Sequence, residues 1–293
     1  MHKLRKWIRL SILLAAATLA AGCTLVRKGA ARVISPVASQ LSAGLMHQDD
    51  VELVREGAPA FLLMLDALAA AHPDNPAVLL AAADAQMAYA TGFVEKAQRE
   101  RAKAMFLKAK TYGQRALAKN KRFARALAAN DHDEFVRSLR GFRKKDAPAL
   151  FTTALSWVMW IIASSDSPAA IGEMPRALAL MERVQALEPG IRQGGVDQFY
   201  GIYYTVLPLG GGRDLARARE HFERSMRIAG PDYLLNRVTF AEFYARYAFD
   251  LELFEKTLRD VLAAEPAVPE FTLMNAVAKR RAQGLLEQVD DLF

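Results

Sequence analysis

A chain of 293 residues that is 52% hydrophobic and 24% charged has a globular composition with room for one or two domains, which excludes a disordered or fibrous protein. The formal net charge of +7 falls to +3 once the first 22 residues are set aside, because Lys3, Arg5, Lys6 and Arg9 stand there with no acid, and +3 gives no support to a nucleic-acid role. Cys23 is the only cysteine, so an internal disulfide is excluded.

Residues 1–22 read as a targeting segment, not as part of the fold. A basic stretch, MHKLRKWIR, precedes an apolar one, LSILLAAATLA, that is too short to span a bilayer comfortably. The following LAAGC resembles a bacterial lipoprotein signal, in which the cysteine becomes the lipidated first residue of the mature chain. Ala20 departs from the Leu that such signals usually prefer, and an ordinary cleaved signal with a chance cysteine is the alternative. Acyl chains hold a protein at a membrane by burying methylenes, at about 0.8 kcal/mol each. Thr24 stands where the sorting rule of lipoproteins uses Asp for inner-membrane retention, so the expected site is the outer membrane, with the protein facing the periplasm. The division expected is a signal peptide over 1–22, a lipid-anchored tether and first helix over 23–48, and a helical domain over 49–293.

Ala and Leu dominate that domain, and no segment alternates with a period of two, so the expected fold class is all-α without a sheet. Apolar periodicity, broken by Pro, Gly, Asn or Asp, predicts helices over 51–71, 76–91, 95–119, 121–140, 147–164, 174–187, 194–206, 213–229, 232–248, 250–264 and 268–288. The basic run KNKRFAR at 119–125 reads as a solvated face. DHDE at 131–134 gathers acids around His132, but four consecutive residues point around a helix and do not converge on a metal.

FTTALSWVMWIIASS, 151–165, is the most apolar stretch of the mature chain and reads as a central buried helix. Trp157 and Trp160, three apart, share a face and either fill the core or line an apolar cavity. In QFYGIYY, Tyr200 and Tyr204 share a face, with Tyr203 beside them, and the same two readings apply: core packing or a ligand wall. LPLGGGRDLARAREHF, 207–222, looks at first like a phosphate loop. No strand precedes it and no GK[ST] follows, so Gly210, Gly211 and Gly212 read as a tight connector with positive φ, and Asp214 as a helix cap.

An internal repeat appears when the chain is anchored on proline: LDALAAAHP (65–73), MERVQALEP (181–189) and LRDVLAAEP (258–266). Each places large apolar residues eight and five before the proline, on one helix face. A degenerate copy sets Phe222 over Met181 and Gly230 over Pro189. Ala177 with Met181, and Ala218 with Phe222, follow the grammar of the second helix of a tetratricopeptide repeat, whose pairs bury one face only by stacking on the next pair. The expected architecture is a right-handed helical repeat of degenerate tetratricopeptide-like pairs; a generic helical bundle is the alternative. No nucleophile, metal set or cofactor loop survives this reading, so neither an enzyme nor a cofactor is expected.

The motifs together resemble the T component associated with tripartite ATP-independent periplasmic (TRAP) transporters, the TatT-type lipoproteins. The resemblance is carried by the lipoprotein cysteine, by ALSWVMWIIASSDSP, by FYGIYYTVLPLGGGRDLARAREHFERSM and by LMNAVAKRRAQGLL. The LP, GG, Ala and HF positions of the family's pattern are met by Leu207, Pro208, Gly211, Gly212, Ala216, Ala218, His221 and Phe222. N-x-x-A-x-x-x-A-x-x-LL is met by Asn275, Ala278, Ala282, Leu285 and Leu286.

The resemblance implies a non-catalytic homotrimer that scaffolds the periplasmic solute-binding subunit of a TRAP transporter. It also implies a pore or cleft for a small hydrophobic ligand, for which Trp157, Trp160, Tyr200, Tyr203, Tyr204 and Asn275 are the candidate lining residues. A stand-alone carrier of an apolar ligand and an envelope-assembly lipoprotein built from such repeats are the alternatives.

Overall fold

The computed structural model describes residues 44–94, 96–265 and 268–293. The signal segment, Cys23, the tether as far as residue 43 and Pro266 of the third repeat copy lie outside the described residues. Among the described residues every regular element is helical and none is a strand, so the fold is all-α.

The helices are α1 (Val51–Ala71), α2 (Pro76–Gly92), α3 (Arg99–Leu117), α4 (Lys121–Ala129), α5 (His132–Leu139), α6 (Ala147–Ala163), α7 (Pro168–Ile171), α8 (Met174–Leu187), α9 (Ile191–Val206) and α10 (Leu215–Ala229). They are followed by α11 (Leu235–Thr239, carried on by a π-helical turn Phe240–Ala245), α12 (Leu251–Ala263), α13 (Thr272–Glu287) and α14 (Val289–Leu292). Their starts follow cap chemistry. Asp50, Asn75, Asn120, Asp131, Asp214 and Asp250 each accept from a backbone N–H of the first turn, at 2.8 to 3.0 Å. Each such cap stabilises its helix by about 1 kcal/mol.

Several expected helices differ in detail; the one expected from 268 begins at Thr272 and the one expected from 194 at Ile191. The one expected over 121–140 is two, because Asn130 adopts a left-handed φ of 59° and Asp131 then caps α5. Asn tolerates that conformation better than other side-chain-bearing residues. The helix expected from 95 begins at Arg99, after a 3-10 turn over Lys96–Gln98. The one expected over 232–248 starts at Leu235 and widens into the π turn, where buried Glu242 pairs with Arg281 of α13.

Helices pack largely in chain order: α1 on α2, α2 on α3, α3 on α6, α6 on α8, α9 on α10, α10 on α11, and α12 on α13. The short pair α4 and α5 lies to one side, with α5 against α8. One core joins Phe123, Phe135, Leu150, Trp157, Met181 and Val196; another joins Leu234, Phe254, Leu258 and Ala282. The repeat anchors Leu65, Met181, Phe222 and Leu258 are all at most 2% exposed, so one sequence position serves the same burial role in α1, α8, α10 and α12. Arg280 of α13 pairs with Glu52 of α1, bringing the last long helix back to the first. Residues Lys144–Ala163 are long and apolar enough to cross a membrane by length and composition, with a mean hydropathy of 1.3, but 56% of that window is buried against neighbouring helices.

Phe249, just past α11, holds a φ of 54° with 79% of its surface exposed. A helix end of this kind is usually occupied by glycine, since a Cβ in the left-handed region costs about 1–2 kcal/mol. Phe249→Gly is therefore expected to raise stability by about 0.5–1 kcal/mol after glycine's own entropy is counted. Urea denaturation measures this; a loss of stability contradicts the reading of Phe249 as strained.

Candidate functional site

The two tryptophans of α6 meet a lysine. Lys110 of α3 is 7% exposed, and its Nζ lies 3.7 Å from the centre of the Trp160 ring and 4.7 Å from that of Trp157. The same ammonium donates to Glu173 Oε2 at 2.5 Å, and Trp157 Nε1 donates to that oxygen at 2.6 Å. Burial pushes the Lys110 pKa down, and Glu173 offsets part of that. Trp157 also meets Phe135 edge-on at 6.1 Å. The indoles thus form a cation–π clamp that ties α3, α6 and the residue preceding α8 together. No sequence motif marks Lys110 or Glu173.

The tyrosines of α9 surround a second polar cluster. Asp197 is 3% exposed; its Oδ1 lies 2.7 Å from His221 Nδ1 and accepts from Arg224 Nε at 2.8 Å. Burial alone pushes the Asp197 carboxyl up, but hydrogen bonds and charge from His221 and Arg224 outweigh it and hold the pKa below its ordinary value. The His221 ring lies 5.3 Å from Tyr200 and stacks on Tyr204 at 5.6 Å, and Arg217 covers the Tyr204 ring at 4.4 Å. Tyr203 packs on Phe199 at 6.2 Å and edge-on to Tyr204 at 5.4 Å. Tyr200 is buried, while Tyr203 and Tyr204 are half-buried.

Burial raises the hydroxyl pKa values of several tyrosines. Tyr112, which also donates to Asp66, and Tyr233 are each pushed to about 12; Tyr200 and Tyr203 move in the same direction. An unfolded tyrosine ionises near pH 10, so above that pH the folded state binds more protons than the unfolded one. Stability is therefore expected to fall as pH rises from about 10 to about 12. Lys110, lowered by burial, acts in the opposite sense, as one group against four. Denaturant unfolding at stepped alkaline pH checks this; a flat or rising profile above pH 10 contradicts it.

The glycine-rich segment is a connector. Leu209–Gly211 form one 3-10 turn, and only Gly212, at φ 101°, is left-handed; Gly210 and Gly211 are not, which corrects the expectation for all three. Its amides bond within the chain: Gly211 N to Pro208 O at 2.8 Å, Arg213 N to the same oxygen at 3.4 Å, and Asp214 N to Tyr204 O at 3.0 Å. A phosphate cradle needs such amides to point at a ligand.

Asn275 is fully buried, and both ends of its amide bond to the loop before α11. Its Oδ1 accepts from Leu234 N at 3.0 Å and its Nδ2 donates to Asp232 O at 2.8 Å. Asn236, which no sequence motif marks, does similar work: its Nδ2 donates to Gln193 O and to Ser225 Oγ, each at 2.8 Å. The six candidate residues therefore fall in three places, and the structure does not gather them around one cavity. Among the described residues, no cluster of three His, Cys, Asp or Glu is placed to hold a metal. An open cleft of about 430 Å³ lies elsewhere, between α10 and α11, lined by Glu223, Met226, Arg227, Gly230, Pro231 and Arg237.

Fold and side-chain chemistry together define an all-helical protein whose singled-out polar and aromatic residues chiefly lock helices to one another. Residues 47–293 match the family described as TRAP transporter T-component, and the chain belongs to that family. It is also 25% identical, over 265 residues, to an uncharacterized protein of Treponema pallidum (strain Nichols), covering 84% of this chain and 81% of that one. The family is an accessory family of TRAP transport, is not known as an enzyme, and has a periplasmic or envelope location.

Proposed function

We propose that the protein is a non-catalytic periplasmic lipoprotein, lipidated at Cys23 and held at the outer membrane, that scaffolds the solute-binding subunit of a TRAP transporter. The observation that carries this reading is the family match over residues 47–293, which takes in the whole helical domain. Helices that pack in chain order, with one anchor position buried four times, support a right-handed superhelix of degenerate tetratricopeptide-like pairs. Such a surface suits a protein partner, and a homotrimer would present three copies of it at the membrane.

A small hydrophobic ligand in a pore or cleft belongs to the same proposal. Trp160, Tyr203 and Tyr204 retain exposed surface and are the candidates that a ligand reaches first; Trp157, Tyr200 and Asn275 stand behind them as buried support. The test is co-expression of the tagged full chain with the TRAP solute-binding subunit, followed by affinity isolation and mass spectrometry. Co-elution of the subunit is expected, and Cys23→Ala should move both proteins out of the membrane fraction. Repeated isolation without the subunit contradicts the proposal.

A further inference from the structure

An outer face runs along α10 and α11. Along it, arginines alternate with aromatic rings. The Arg213 guanidinium lies 5.5 Å from the centre of the Tyr247 ring, Arg246 lies 6.0 Å from the same ring, and Arg219 lies 5.9 Å from Tyr244. At the other end, Arg227 and Arg237 line the open cleft. One carboxylate stands among the cleft residues, Glu223, and Arg219 already holds it at 2.8 Å. Among the described residues, Arg227, Arg237 and Arg246 have no carboxylate at ion-pair distance, while Arg213 donates from Nε to the Leu207 carbonyl at 2.8 Å.

Where α11 ends, Phe249 holds its ring out to solvent from a left-handed backbone that disfavours it. Strain that persists at an exposed aromatic points to function and not to packing. Arginine and aromatic side chains are also the residues that dominate binding energy at protein interfaces.

We infer that the α10–α11 face is a docking surface for an acidic protein segment, with the arginines pairing its carboxylates and Phe249 anchoring an apolar side chain. The inference goes beyond the partner reading above and does not need the partner's identity. Nucleic acid fits poorly, since the chain beyond residue 22 has a net charge of only +3. An anionic membrane surface is the competing occupant.

The experiment is fluorescence anisotropy of a labelled decapeptide alternating Glu and Leu, titrated with the full chain, beside co-sedimentation with phosphatidylglycerol vesicles. Saturable, salt-sensitive peptide binding is expected. Arg227→Glu combined with Arg237→Glu should weaken it at least tenfold. Phe249→Gly should weaken it severalfold without lowering the melting temperature, so that lost binding and lost folding are told apart. The inference is overturned if the wild-type chain does not bind the peptide, if the variants bind it as well as wild type does, or if only vesicles bind and the arginine reversals abolish that binding.

Discussion

Gly194→Ala costs about 3 kcal/mol or more, by strain and by overlap acting together. Gly194 holds a φ of 76°, and a Cβ built on it comes within 2.9 Å of both Cα and the carbonyl oxygen of Ser225. The first effect alone costs about 1–2 kcal/mol, and overpacking adds about 1–3 kcal/mol when the obstacle is backbone and not a flexible side chain. The position has little freedom to relax. Arg192 and Gln193 are left-handed as well, at φ 50° and 54°. Asn236 fixes the Gln193 carbonyl, and Arg192 reaches Asp84 of α2 at 2.9 Å. This left-handed kink, Arg192–Gly194 inside the first turn of α9, therefore sets how the rest of α9 leaves α8 and how it meets α10. Urea denaturation reads the loss, and a loss below about 1 kcal/mol contradicts the account of the turn.

Trp157→Ala costs about 4 kcal/mol. The side chain is 1% exposed, so its removal leaves a cavity among Phe135, Lys110 and their neighbours, and Glu173 loses the indole donor at 2.6 Å. Trp157→Phe keeps most of the volume and costs about 1–2 kcal/mol, mainly through the lost hydrogen bond. Lys110→Met is expected to cost only about 1 kcal/mol, because the Glu173 side chain is 34% exposed and water can solvate it when the ammonium is gone. Thermal unfolding of the three variants gives the order. If Lys110→Met is the most damaging of them, the clamp is held by charge and not by ring packing.

Much of the fold is legible in the sequence because its signals are local. Asp50, Asn75, Asn120 and Asp250 announce helix starts within a few residues of where they occur, and Pro73 and Pro189 follow helix ends. The prolines also set the register that makes Leu65, Met181 and Leu258 equivalent and buried. The misses are long-range or conformationally rare. Asn130 breaks a helix whose apolar pattern continues across it, and the π turn holds Glu242, which pairs with Arg281 in a different helix. Gln193 is left-handed, and Asn236, 43 residues away, holds its carbonyl. Lys110 was also missed, although a signal exists for it: it lies beside Phe106, Ala109 and Gly113 on one helix face, and a lysine on an apolar face asks for a partner. The contacts of the candidate residues were least legible, since Asn275 and the tyrosines meet loops and helices far from them in the chain.

The most direct test of the transport role is a binding titration between the purified chain from residue 23 onward and the purified TRAP solute-binding subunit, followed by calorimetry. The account predicts saturable binding that Gly194→Ala impairs only in proportion to the fraction unfolded. Absence of any binding heat at concentrations where both proteins are folded and soluble, confirmed by the absence of a co-eluting complex, contradicts it.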